Sequence, residues 1–397
     1  MTPPNILYIG CVPVERSYYG SLLLYRLFQT VAPERLRIVE GYLGPSRPDR
    51  QLAGVAYASL LKRMPRLRTT RFAGLFDAAL DRVAGIDAWR IRAKLGPFRP
   101  DAVVTVAHGY AWRTAASYAA RHALPLHIIV HDDWPTRGAP NFARVYRAAA
   151  SRLCVSPGME ETYAARYGVP GTLLYPSRAP GVSAPLPPQP APARPFTIAY
   201  AGTISGRGYF AALSTLSKAL EPVGGRLLIH GPLTVAEAAR IGLAQGNVTV
   251  GGLVDPEALP HRLVEKTDAL FLPMSFADED RANMRLGFPS KLADYTLLRM
   301  PILLFGPPDC SAAVWARSNP GALLAVTTED TAALSSAVAR LAGDAALRAS
   351  LGQAAGEAGD RDFSHEAAFD AFQAALGART REAAGQSVAA GAGEVKA

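Results

Sequence analysis

Short runs that are apolar at nearly every position alternate along this chain with segments of helical period, and that alternation constrains the fold more than any other feature. In the first half the runs are Asn5–Gly10, Leu36–Tyr42, Ala102–Ala107, Leu126–His131, Arg152–Ser156 and Thr172–Tyr175. In the second they are Phe196–Ala201, Arg226–His230, Val248–Val250, Asp268–Leu272, Pro301–Phe305 and Ala322–Val326. Helical patterns lie between them at Ser21–Gln29, Trp112–His122, Glu160–Tyr167, Tyr209–Leu220, Pro256–Lys266 and Thr331–Leu341. A strand without polar alternation is buried on both faces, as in a parallel sheet with helices on each side. Two such series predict two Rossmann-like, doubly wound α/β domains facing a cleft.

Between the series, eight of the twenty residues from Pro176 to Pro195 are proline, too many for a helix or a sheet interior. The expected divisions are therefore a first domain at 1–178, a linker at 179–195 and a second domain at 196–362. A terminal helix at 363–376, with Ser364 as its N-cap, is expected to return to the first domain. Residues 377–397 lack periodicity and are expected to be poorly ordered. A chain of 397 residues has material for a full core in each domain.

Residues 1–194 hold 25 Lys+Arg against 12 Asp+Glu, while residues 195–397 hold 17 against 21, so the overall charge of +9 resides in the first half. Residues 51–99 alone carry net +7, interspersed with Leu60, Leu61, Leu67, Phe72, Leu75, Phe76, Trp89 and Leu95. That mixture fits an anionic membrane surface. A solvated arginine bias over ordinary core residues accounts for it equally simply, since only six of the 42 basic residues are lysine. Nucleic acid is not an expected partner, because neither an aromatic binding surface nor a module motif accompanies the charge. Apolar runs are far shorter than the ~18 residues that cross a bilayer, and Met1–Pro4 has no basic leader region. The expected location is cytoplasmic, peripheral at the inner face of the membrane. Three separated cysteines, Cys11, Cys154 and Cys310, form neither a disulfide framework nor a zinc pattern.

In paired α/β domains ligands bind beyond the carboxyl ends of the strands. After the first strand there is no Gly-x-Gly-x-x-Gly, which argues against a dinucleotide cofactor, but Gly20 and Ser21 open a helix and can present backbone N–H groups or serve as a plain turn. His131, Asp132 and Asp133 follow the strand Leu126–Val130, and His131 with Asp132 are the candidate catalytic pair. Asp132 and Asp133, as two adjacent carboxylates, resemble half a metal site, but a metal is not expected, because neighbouring side chains point apart in extended backbone and no further ligand cluster follows. In the second half, Gly202 and Arg207 lie in a glycine-containing loop suited to phosphate. Ser290 and Lys291 sit at a helix start where N–H groups, a hydroxyl and a cation converge on one anion. Asp294 shares their helical face and can accept from ribose hydroxyls.

The second half resembles the donor domain of GT-B glycosyltransferases, most closely the retaining family 4 type. The resemblance rests on Gly202 with Arg207, Ile229-His230-Gly231, Val250-Gly251-Gly252-Leu253-Val254, Ala269-Leu270-Phe271-Leu272-Pro273, Phe288-Pro289-Ser290-Lys291-Leu292-Ala293-Asp294-Tyr295 and Met300-Pro301-Ile302-Leu303. It implies that Arg207 and Lys291 hold a donor diphosphate, with Ser290, the Leu292 backbone, Gly202 and Gly231 around it. Leu253 and Val254 would line the base, Asp294 would bind ribose, and Gly20 and Ser21 would lie on the acceptor side. His131 would face the transferred sugar. Leu286 stands where the family's first paired acid falls, a departure for which Asp278, Glu279 or Asp280 are the available substitutes. The implied activity is transfer of a sugar from a nucleotide-diphosphate sugar to a sugar or lipid-linked hydroxyl acceptor, with retention and without metal or other cofactor, in bacterial polysaccharide or glycolipid synthesis. A sugar-nucleotide epimerase of the same fold and a non-enzymatic two-lobe binding protein are the alternatives.

Overall fold

The computed structural model describes residues 3–17, 20–41, 46–60, 73–133, 141–184, 194–204, 206–243, 246–255 and 258–377. They form two compact units, Met1–Pro180 together with the chain from His365 onward, and Gly181–Ser364.

Unit 1 begins with β1 (Ile6–Gly10), α1 (Gly20–Phe28), β2 (Leu36–Glu40), β3 (Ala56–Ser59) and α2 (Ala73–Lys94). It continues through β4 (Ala102–Val106), α3 (Ala111–Arg121), β5 (Leu126–Val130), α4 (Phe142–Ala148), β6 (Ser151–Cys154), α5 (Pro157–Tyr167) and β7 (Thr172–Leu173). Its seven strands run in the order β3-β2-β1-β4-β5-β6-β7, every described pair parallel. All residues of β1, β4 and β5 are buried, in keeping with their largely apolar character, and the polar Thr105 and His127 meet the Ile9 carbonyl and the Ser151 hydroxyl. A last helix, α14 (365–377), belongs to this unit. It packs Phe372 edge-on against Phe28 at 5.8 Å, and the His365 Nε2 lies 2.9 Å from the Thr30 hydroxyl.

Unit 2 contains β8 (Thr197–Ala201), α6 (Arg207–Leu220), β9 (Arg226–His230), α7 (Val235–Arg240), β10 (Val248–Gly252), α8 (Leu259–Lys266) and β11 (Ala269–Pro273). Then come α9 (Arg281–Leu286), α10 (Ser290–Leu297), β12 (Ile302–Phe305), α11 (Ser311–Ser318), β13 (Leu324–Val326), α12 (Thr331–Gly343) and α13 (Ala345–Asp362). Its six strands run β10-β9-β8-β11-β12-β13, again parallel. Ile198, Leu213, Leu227, Phe271, Leu303 and Leu334 join the helices to the sheet in one core.

Among the described residues, 51–99 do not form a single helix. They hold the strand β3 and the helix α2, with Leu60 and Leu95 buried while Trp89 is 64% exposed. Leu61, Leu67, Phe72 and the side chains of Leu75 and Phe76 lie outside the described residues, as do linker residues 185–193 and the tail from 378.

Candidate functional site

Strand order reverses between β8 and β11 in unit 2 and between β1 and β4 in unit 1, and such reversals open a crevice past the carboxyl ends of a parallel sheet. In unit 2, Gly202 follows β8 with a φ of 149°, and a β-carbon there would stand 2.8 Å from Lys291 Nζ. Only glycine leaves room for that cation. Lys291 lies in the first turn of α10. One turn later, the buried Tyr295 hydroxyl accepts a 2.8 Å hydrogen bond from the Ala201 N–H and ties the helix to the end of β8. The ammonium is also 5.4 Å from the centre of the Tyr200 ring. Burial pushes the Lys291 pKa down, and the neighbouring Asp294 carboxylate opposes the shift. A partly desolvated cation at a helix N-terminus attracts an anion strongly.

The surrounding residues meet at the same edge. Gly231 lies against the Gly202 carbonyl and donates its N–H to Gly252 O at 3.0 Å. Leu253 and Val254 leave β10 directly, and Leu253 is exposed. Arg207 is the exposed first residue of α6. Beside it, a β-carbon on Gly208 would stand 3.3 Å from Asp280 Oδ2, so the acidic turn Asp278–Asp280 reaches the amino end of α6. Asp280, one of the three acids available as a substitute, is thus brought beside α6, whereas Leu286 is buried at the end of α9. Ser290 is exposed, Asp294 is half-buried, and the Leu292 side chain is fully buried, which leaves only its backbone for a ligand.

In unit 1, His131 directly follows β5, and its Nε2 lies 3.2 Å from Asp132 Oδ2. The other face of the ring rests on Gly20, where a β-carbon would stand 2.6 Å from His131 Cε1. Gly20 and His131 are thus one feature, and Ser21 is buried behind it in α1. Asp133 turns the opposite way, accepting from the Tyr163 hydroxyl and pairing with Arg166, both at 3.0 Å, which anchors the loop to α5. The two adjacent carboxylates therefore diverge as expected, but the expectation that no further ligand follows does not hold, because a second imidazole comes within reach of Asp132.

Sequence reasoning did not find His108. Its Nδ1 is 3.9 Å from Asp132 Oδ2, and its ring centre is 5.9 Å from that of His131. Burial, followed by the nearby His131, lowers its pKa to about 4. Parallel register explains the meeting: Val106 pairs with Ile129, so the residue two beyond β4 comes level with His131. Glu40 was also missed. Buried at the end of β2, it accepts from the N–H groups of Val14 at 3.0 Å and Ser46 at 2.8 Å, and so fixes the loop after β1.

This architecture has solved counterparts. Anabaena HepE, in complex with UDP and glucose, superposes with a TM-score of 0.66 at 13% identity, covering 94% of this chain and 99% of its own. The chain has the GT-B fold. The lipopolysaccharide outer core galactosyltransferase WaaB in its apo form gives 0.63 at 16% identity, with 94% and 99% covered. Sucrose-phosphate synthase from Thermosynechococcus elongatus gives 0.64 at 16% identity, with 96% and 100% covered. No protein-family model and no curated protein matches the sequence. Among the described residues, no helix is long and apolar enough to cross a membrane.

Proposed function

We propose that this GT-B chain is a glycosyltransferase that moves a sugar from a nucleotide-diphosphate sugar to a hydroxyl acceptor, with retention and without a required metal. The observation that carries the reading is the packing of Lys291 on Gly202 at the β8/β11 reversal, since it holds a desolvated cation and a helix N-terminus where a diphosphate would leave.

The mechanism follows from charge. Breaking the bond between anomeric carbon and phosphate puts positive charge on the sugar and negative charge on the diphosphate. Lys291, Arg207 and the first N–H groups of α10 stabilise that departing charge. Ser290 adds a hydroxyl, Leu253 and Val254 contact the base, and Asp294 accepts from ribose. The acceptor hydroxyl attacks from the face that the diphosphate leaves, and a leaving phosphate oxygen takes its proton. His131, held by Gly20 and Asp132, orients the sugar, and Asp280 takes the place of the absent first acid beside Arg207.

UDP is the first nucleotide to test, because the HepE structure holds it. A lipid-linked acceptor at the inner face of a bacterial membrane suits the basic first half of the chain. Thermal-shift measurements with UDP, GDP, ADP and CMP should single out one base, with about 2.7 kcal/mol of stabilisation at 100 times its dissociation constant. Lys291→Ala should weaken that nucleotide by about 1.5 to 3 kcal/mol through loss of a charge-assisted contact. Unchanged affinity for every nucleotide would sink the assignment.

A further inference from the structure

We propose that His108, His131 and Asp132 form a binding site for one divalent cation of the zinc class. Their donor atoms lie within 4.8 Å of one another: His131 Nε2 to Asp132 Oδ2 is 3.2 Å, and His108 Nδ1 to the same oxygen is 3.9 Å. In a tetrahedral zinc site, with nitrogen and oxygen at about 2.0 to 2.2 Å from the metal, neighbouring donors are about 3.3 Å apart. One pair already has that spacing, and side-chain shifts of roughly 0.6 to 1.5 Å bring the others to it around an ion.

The backbone is set for it. His131 and Asp132 leave the end of β5, and His108 leaves the end of β4, two strands fixed in register by the pair Val106 and Ile129. Asp132 is half exposed, which gives an ion a path in. Two imidazole nitrogens and one carboxylate favour zinc, cobalt or nickel over magnesium or calcium, which prefer oxygen. Three protein donors leave a fourth position for water or a substrate hydroxyl.

The outer support is lean. His131 Nδ1 is buried against Gly20 without a hydrogen-bond partner among the described residues. Histidine ligands normally donate their second nitrogen to an acceptor, and loss of such support costs about 10 to 100-fold in affinity. Binding here is therefore reversible and yields to chelators. Its consequence rests on the transferase reading: the ion draws His131 Nε2 and Asp132 to itself and so removes the pair that orients the sugar, which inhibits transfer instead of supporting it.

The test is calorimetric titration of the full chain, stripped of metal, with zinc chloride, and visible absorption with cobalt chloride as a probe of coordination. One ion per chain is expected, unaffected by excess magnesium. His108→Gln and Asp132→Asn, each checked by circular dichroism and thermal melting, should each weaken binding by about tenfold or more. Absence of zinc binding, or equal binding by both folded variants, overturns the site. If both variants lose zinc but zinc leaves sugar transfer untouched, the metal site stands and the role of His131 in transfer falls.

Discussion

Unit 1 and unit 2 end their central strands at equivalent reversals, β1 with β4 and β8 with β11, yet the loops there carry different chemistry. Past β8 stands an ammonium packed on a glycine. Past β4 and β5 stand two imidazoles around one carboxylate. Neither follows the charge of its surroundings. The chain from 195 on is net −4 and presents Lys291 at its reversal, while residues 1–194 are net +13 and present Asp132 past β5, the strand next to their reversal. The sheet decides where a ligand goes, and a few loop residues decide which. The net charge of each half concerns what meets the outer surface.

The largest effect should come from the imidazole side. His131→Ala should slow sugar transfer by about 100-fold or more, because a misplaced reacting group costs that much, while nucleotide affinity stays within about twofold. Single-turnover kinetics beside nucleotide titration would show it. Loss of nucleotide binding together with turnover would break the division of labour between the units. Gly20→Ala sharpens the same point without touching an ionisable group. Its β-carbon displaces the His131 ring, so transfer should fall by about tenfold with nucleotide binding retained.

On the cation side, the expected signature is a proton. Burial lowers the Lys291 pKa in the free protein, and a diphosphate against the ammonium raises it again. At pH values between the lowered and the restored pKa, nucleotide binding should take up a proton, and affinity should fall as pH rises through that window. Calorimetry in buffers of different ionisation enthalpy measures the uptake. No buffer dependence, or dependence that survives in Lys291→Met, would remove this lysine from the site.

What was legible in the sequence, and what was not, follows the same contrast. Buried strands such as Ile6–Gly10 and Ala269–Pro273 were plain because burial on both faces forbids polar alternation. The edge strand Ala56–Ser59, with no fully buried residue, carries no such pattern and was missed. Helix α13 was missed because Gly352, Gly356 and Gly359 lower its helical propensity. Its reason is tertiary: at Gly352 and Gly356 the helix lies against the backbone and side chain of Arg299. The grouping of Ser290, Lys291 and Asp294 was readable because they are neighbours on one helix. The His108 contact joins residues 23 positions apart through strand register, and Asp280 meets α6 only through the path of the loop after β11, so local pattern could show neither.

The smallest expected effect tests the outer surfaces. On α2, Arg82, Ile86, Trp89 and Ala93 fall at helical spacing on the exposed face, with Ile86 53% and Trp89 64% exposed and Arg90 beside them. Two bare apolar side chains flanked by arginines are what a headgroup boundary accepts: anionic lipid attracts the cations while indole and isoleucine enter the interface. The solvated alternative has the same arginines but no use for an exposed tryptophan. Sedimentation with vesicles separates the two. The chain should pellet with anionic but not neutral vesicles, less so as salt rises, and Trp89→Ser should weaken partition by several-fold, in keeping with the ~1.5 to 3 kcal/mol scale for burying a large apolar side chain only in part. Trp89 fluorescence should shift to the blue on binding. If the variant pellets as well as the parent, charge alone draws unit 1 to the surface. If the parent stays in the supernatant at low salt, the basic half has no membrane partner, and the contrast between the two units narrows to their strand ends.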